Sequence, residues 1–284
     1  IQVWHGSILM NINTNHGSQS YALATGELGA PRLHVQNTIL GKFSEDLLAK
    51  AGLAKGMTVI DLACGSGAMT SYLAHSVGPQ GHVFAVDISE AQLAVAKKYV
   101  ESENLRNVSF IQGDIMDLQT LPTQKVDIVY ARFILMHLKD PKSAINNMKS
   151  LLKIGGKIVS EETTKSTTYS GYKTALFAEY IESLVKLGNS LGVDYNIGEK
   201  LAKFYQMNEF SNLEYFFQKV PMTALDAKTM FSLSLGELQS KLLAANLTTL
   251  DKVDTWKETF ENIPLDNPSF EFRLSDQAYV IAQK

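Results

Sequence analysis

A doubly wound α/β fold around a mostly parallel sheet is the architecture this sequence predicts. Three observations carry it. Short apolar runs alternate with amphipathic stretches of helical length. The first run ends in a glycine-rich turn that opens a helix, and the runs that follow end in acidic, polar or small residues. Strands that alternate with helices imply right-handed crossovers and parallel pairing, and such sheets bind ligands outside the carboxyl ends of their strands.

The first run is Val59-Ile60-Asp61-Leu62, entered from Met57 and followed by Ala63-Cys64-Gly65-Ser66-Gly67-Ala68-Met69-Thr70, with a helix expected from Met69 to Val77. The first turn of a helix carries unpaired N–H groups and the positive end of the dipole, so a polar or anionic ligand sits well there. Gly65 and Gly67 permit a sharp turn and a close approach of ligand to main chain. A nicotinamide site has a third glycine for close helix–strand packing, and here Thr70 takes that place. Asp61, four residues before Gly65, suits a ligand with a cationic amino group better than a pyrophosphate.

The second run, Val83 to Asp87, ends in an acid 22 residues after Gly65, close to the spacing of about 20 for an acid on a ribose diol. The third, Val108 to Gln112, ends in Gly113-Asp114, and the fourth, Val126 to Ala131, leads into Arg132-Phe133. Ser89 caps a helix to Glu103, and Asp140-Pro141 opens another. Gly155-Gly156 is the turn into a fifth strand, Lys157 to Ser160.

Together these residues resemble the class I S-adenosylmethionine-dependent methyltransferases, in their small-molecule branch that includes quinone biosynthesis. The resemblance covers roughly Tyr21 to Lys284. It implies a Rossmann-like seven-stranded mixed sheet, order 3-2-1-4-5-7-6 with the seventh strand antiparallel, and helical insertions. It also implies S-adenosylmethionine as cofactor: Asp61 with Ala63, Cys64, Gly65 and Gly67 on its methionine part, Asp87 and Ile88 at the ribose, Gly113, Asp114 and Ile115 at the adenine, and Arg132 and Phe133 along the wall. Tyr21-Ala22-Leu23-Ala24-Thr25-Gly26-Glu27 with Arg32-Leu33 resembles a segment that folds over the cofactor in that family. Tyr21 then meets the methionine end or serves as a packing aromatic; Arg32 contacts the cofactor carboxylate or pairs with a surface acid. His137 is the candidate catalytic base, with a structural place in the pocket wall as the alternative.

The 284 residues are expected to form a leader over 1–20 and a single methyltransferase domain over 21–284, with N-terminal helices over 21–55 and helical caps at about 166–195 and 223–262. Within 21–55, Leu33, Gln36, Asn37 and Leu40 mark one helix and Ser44 caps a second. Native sequence is expected to begin at Met10, with 1–9 foreign to it. Thr163 to Ser170 reads as a loop, Gly171 to Leu191 and Ile197 to Phe210 as helices, Leu213 to Val220 as the sixth strand, and Phe270 to Ala282 as the last. The helical insertion after the fifth strand is a lid over the acceptor or a contact in a homodimer. Tyr172, Phe177, Tyr180 and Tyr205 line that pocket or pack the core. Glu161-Glu162 binds an amine or acts as a base; the competing expectation is one solvated carboxylate and one capping the next turn.

Composition narrows the function. Net charge is −3, with 45% hydrophobic and 19% charged residues, so no cationic field gathers nucleic acid or an anionic membrane. The single cysteine, Cys64, forms no internal disulfide and fits a cytoplasmic setting. No apolar run approaches the roughly 18 residues of a membrane span, and residues 1–10 lack the pattern of a signal peptide. The six histidines have no zinc spacing, so no metal is expected. The chain also lacks the Asn/Asp-Pro-Pro-aromatic motif of enzymes that methylate nucleobase amines; Asn267-Pro268-Ser269-Phe270 is misplaced for it. The expected activity is methyl transfer to a small molecule. The alternatives are a nicotinamide-dependent oxidoreductase, against which Thr70, Asp61 and Gly113-Asp114 argue, and a non-catalytic S-adenosylmethionine-binding regulatory protein.

Overall fold

The computed structural model describes residues 23–164, 169–267 and 269–284. Seven strands form the central sheet: β1 (Thr58–Leu62), β2 (His82–Asp87), β3 (Val108–Gln112), β4 (Val126–Arg132), β5 (Leu152–Thr163), β6 (Ser211–Gln218) and β7 (Gln277–Gln283). In these labels the order is 3-2-1-4-5-7-6. Strands β1 to β5 pair in parallel, and β7 runs antiparallel to both β5 and β6. The helices are α1 (Ala30–Ala51), α2 (Ala68–Val77), α3 (Glu90–Ser102), α4 (Pro141–Leu151), α5 (Thr174–Ser190), α6 (Leu201–Met207), α7 (Ala224–Ala244) and α8 (Leu250–Glu261).

Local chemistry sets the helix starts. The side chains of Ser89, Asp140 and Thr249 accept the N–H groups of Gln92, Ser143 and Lys252, and Pro141 stands in the first turn of α4, where no N–H is needed. Thr223 and Asp226 form a reciprocal capping box at α7. The strands read as continuous apolar runs because helices cover both faces of the sheet.

Two core clusters lie on the sheet, one with α4 and α6 and one with α2 and the C-terminal half of α1. A third joins α5, α7 and α8 into a cap. In the cap, Phe177 packs edge-on or tilted against Phe231, Phe260 and Phe272 at 5.0–5.7 Å, and Tyr180 meets Trp256 at 5.3 Å. Phe177, Tyr180 and Tyr205 are therefore core residues, not pocket lining.

Several expectations need correction. α1 is one continuous helix, with no break at Ser44: the hydroxyl reaches the Leu40 carbonyl and the Glu161 carboxylate instead of a cap. The helix bridges two cores, since Ile39 and Leu40 pack in the cap while Leu47 and Leu48 pack on the sheet. The last strand is split. Glu271–Arg273 pairs with Tyr169–Ser170 and Pro221–Met222 in a small second sheet, and only 277–283 joins the main one. β5 runs on to Thr163 because β7 pairs along its whole end, so Glu161 and Glu162 lie inside a strand. Gly155-Gly156 survives as an irregularity between β4 and β5. The expectations for residues 1–20, for Tyr21 and for 165–168 lie outside the described residues.

Candidate active site

The carboxyl ends of β1, β2, β3 and β4 meet along one edge. After β1 the chain turns through Ala63 at φ 60°, Gly65 at 56° and Gly67 at 83°. A left-handed backbone is free for glycine but strained for alanine. A Cβ on Gly67 would lie 2.8 Å from Ala96 Cα, so this glycine lets α2 pack against α3; one on Gly65 would meet Leu33 Cδ1 at 3.6 Å and Ala63 O at 4.0 Å, ordinary contacts. Cys64 is buried among Ala85, Leu93 and Ala96, and burial pushes its thiol well up, which makes it inert.

Thr70, read from the sequence only as a missing glycine, is buried and donates to Asp61 Oδ2 at 2.6 Å. Burial pushes the Asp61 carboxyl up to about 6, against the opposing hydrogen bond from Thr70 and the charge of Arg132. Asp87 fastens the first turn to the second strand. Its two oxygens accept from Gly65 N at 3.0 Å and Ser89 N at 2.9 Å, and burial raises its carboxyl. Beside it Ile88 is 41% exposed, and after β3 Met116 is 42% exposed. Gly113 N donates to Asp87 O, and Asp114 accepts from Met116 N at 2.8 Å. The side chain of Ile115 points into the sheet core, leaving its main chain at the edge.

At the end of β4 the Arg132 guanidinium turns back to α1, donating to Ser44 Oγ and Asn37 Oδ1 at 3.0 Å each. Glu161, on the neighbouring strand, accepts from Ser44 at 2.8 Å and Tyr130 at 2.6 Å. Phe133 follows at φ 56° and packs against both the sheet core and the cap core. Glu162 accepts from the N–H groups of Ile134 and Leu135. Both acids are 0% exposed, which overturns the expectation that one is solvated. Burial, with the charge of Arg32 second, holds His137 down at about 4.

Arg32 is buried and pairs with Glu237 of α7, its Nε at 3.1 Å from both carboxylate oxygens. The acid is thus a cap residue, not a surface one. Glu237 also accepts from Ala24 N, while Gly26 N donates to Gln92 of α3. The chain before α1 is therefore fastened to the cap at Ala24 and to α3 at Gly26. Glu237 carries no sequence signal, and the partners of Glu162 and Asn37 could not be read from spacing, because each meets a residue distant in sequence. Among the described residues no group of three or more His, Cys, Asp or Glu is placed to hold a metal ion, and no helix is long and apolar enough to cross a membrane.

This sheet order, with a glycine turn and acids at the ends of its first strands, is that of a class I methyltransferase that uses S-adenosylmethionine. A family model described as a methyltransferase domain matches residues 53–212, and the chain belongs to that family. It is 31% identical over 180 residues to a demethylmenaquinone methyltransferase of Geobacillus stearothermophilus, covering 63% of this chain and 71% of that one. A Bacillus halodurans structure described as a candidate methyltransferase superposes with a TM-score of 0.55 at 18% identity, covering 85% of this chain and 98% of the other. A Haemonchus contortus N-methyltransferase in complex with phosphomonomethylethanolamine and S-adenosylhomocysteine gives 0.53 at 19% identity, covering 86% and 52%. The chain is an S-adenosylmethionine-dependent methyltransferase.

Proposed function

We propose that the enzyme methylates a small aromatic acceptor, a quinone-type ring being the class favoured by the curated relative, in a space between the strand ends and the helical cap. The observation that carries the placement is the pair Ala63 and Phe133. Neither is glycine, yet both hold left-handed backbone at the ends of adjacent strands, and such strain collects at ligand sites. Phe133 touches both cores, so the second of these points lies where the cap meets the edge.

The residues present fit the cofactor. Gly65 has room above it that a Cβ would partly fill, beside Leu33. Asp61 and Asp87 place carboxylates at the first two strand ends, suited to a cationic amino group and a ribose diol. Ile88 and Met116 each present exposed apolar side chains near the ends of β2 and β3, suited to the faces of an adenine, and Asp114 adds a polar group there. When bound, S-adenosylmethionine supplies a methyl group already activated as a sulfonium. The protein then has to align the acceptor in line with that methyl and exclude water. Phe133 supplies wall, and the strap before α1, held by Glu237 and Gln92, supplies cover. Burial lowers the His137 imidazole to about 4, so it is a weak base, better suited to an acidic hydroxyl than to an alkylammonium acceptor. With a single cysteine and a small negative net charge, the setting assigned is cytoplasmic.

The test is transfer of labelled methyl from S-adenosylmethionine to a panel of hydroquinones, phenols, amines and nucleic acids. The reading predicts label on a hydroxylated ring. Label on nucleic acid, or on amines alone, would overturn it.

A further inference from the structure

We propose that Glu162 is a positioning residue for the pocket wall: its buried carboxyl gathers the backbone of Ile134 and Leu135 and thereby fixes the turn that presents Phe133 and His137. The inference rests on the reading above for what the wall faces, but its geometry stands on the strand ends themselves. β4 stops at Arg132, and the left-handed step at Phe133 takes the chain out of the ladder. Three successive N–H groups then need partners. That of Phe133 finds Glu161 O at 2.9 Å; those of Ile134 and Leu135 converge on one oxygen, Glu162 Oε1, at 2.9 and 2.6 Å. Strand register places Glu162 opposite Ala278 of β7, a side chain too small to crowd the carboxyl. The turn continues through His137 N to Ile134 O and is tied below by Asp194 N to Met136 O.

The second oxygen, Oε2, is buried and has no hydrogen-bond partner among the described residues. The titratable groups that act on it are Glu161 on the same strand and Tyr205 of α6, whose hydroxyl is engaged by Ser160. A carboxylate so placed is costly, whereas a neutral carboxyl keeps Oε1 as the acceptor for both N–H groups. Burial accordingly pushes Glu162 up to about 8. An amide of the same shape can do this work; a thioether of the same length cannot. That difference separates positioning from mere filling of space.

The experiment compares Glu162→Gln and Glu162→Met in the full chain, reading S-adenosylhomocysteine affinity by calorimetry and amide exchange at residues 134–137. Glu162→Asp, which withdraws the acceptor by one carbon, is the fallback if the methionine variant does not fold. Val77→Ala, a buried change on α2 away from the turn, controls for general destabilisation. Glu162→Gln should bind within about twofold of wild type and keep Ile134 and Leu135 protected, while Glu162→Met should lose affinity by about tenfold or more and expose both amides. Equal affinity and protection in Glu162→Met, or a loss in Glu162→Gln as large as in Glu162→Met, would overturn the role. A wild-type chain that binds no S-adenosylhomocysteine would defeat the methyltransfer reading instead; exchange at Ile134 and Leu135 decides the role of Glu162 in either case.

Discussion

Gly65 and Gly67 stand two residues apart in one turn, both left-handed, and the structure assigns them different work. At Gly67 an added Cβ would meet Ala96 Cα at 2.8 Å, its Cβ at 2.9 Å and its carbonyl oxygen at 3.1 Å. Two of these are backbone atoms of α3 and cannot swing aside. Gly67→Ala therefore pays about 1–2 kcal/mol for a left-handed alanine and about 1–3 kcal/mol for overpacking, roughly 2–5 kcal/mol in all. Against a typical domain stability of about 5–15 kcal/mol this is a large share. At Gly65 the nearest atom is Leu33 Cδ1 at 3.6 Å, an ordinary contact, so Gly65→Ala costs only the conformational part, about 1–2 kcal/mol. Its methyl instead projects toward the space assigned to the cofactor. Urea unfolding followed by circular dichroism, with S-adenosylhomocysteine titration of each folded variant, separates the two effects. Gly67→Ala should lose mainly stability and Gly65→Ala mainly affinity. A Gly67→Ala chain within about 0.5 kcal/mol of wild type would refute the close α2–α3 contact. Unchanged affinity in Gly65→Ala would refute the placement of the cofactor.

Further outcomes follow from other elements. Asp87→Asn keeps the side chain's shape but removes the charge; it should weaken S-adenosylhomocysteine binding by about tenfold, measured by calorimetry. Thr223→Ala removes the capping box of α7 and should cost about 0.5–2 kcal/mol in urea unfolding, with no change in cofactor affinity. Glu162 also gives a pH signature. Its carboxyl rises from 4.5 to about 8 on folding, so the folded state holds a proton that the unfolded chain releases. Stability from this group is complete below about 4.5, falls as pH rises toward about 8, and levels above it. Glu162→Gln should flatten that decline when urea midpoints are compared between about pH 5 and 9; an unchanged slope would place the titration elsewhere.

Much of the sheet was legible because its signals are local. Ser89, Asp140 and Gly65-Ser66-Gly67 act within a turn of where they stand, and the acids at Asp61, Asp87 and Asp114 fall where strands end. What misled was long-range. Ser44 looks like a helix cap, yet its hydroxyl is held 117 residues away by Glu161, and tertiary bonding overrode the local preference. Phe270 to Ala282 looks like one strand. The chain breaks near Ser275-Asp276 because Asp276 O accepts from both Thr164 N and Thr164 Oγ1, which redirects it between two sheets. Glu161-Glu162 reads as an amine-binding or basic pair at a strand end, or as one solvated and one capping carboxylate, but pairing with β7 carries the strand past both and buries them on opposite faces. The aromatic stretch of α5 reads equally as pocket or core. Only the partners from α7 and α8 decide it for the core. Arg32 reads from the sequence as a contact to the cofactor carboxylate or a partner of a surface acid; its partner is Glu237 of the cap, 205 residues on, which no local signal reveals.

The central claim is that the strand-end acids and the glycine turn receive S-adenosylmethionine and not a dinucleotide. Calorimetric titration of the purified chain with S-adenosylhomocysteine, with NADH run beside it, tests this most directly. The account predicts saturable binding of S-adenosylhomocysteine, lost in Asp87→Ala, and none of NADH. Binding of NADH alone, or of S-adenosylhomocysteine with the same affinity in Asp87→Ala, would contradict it.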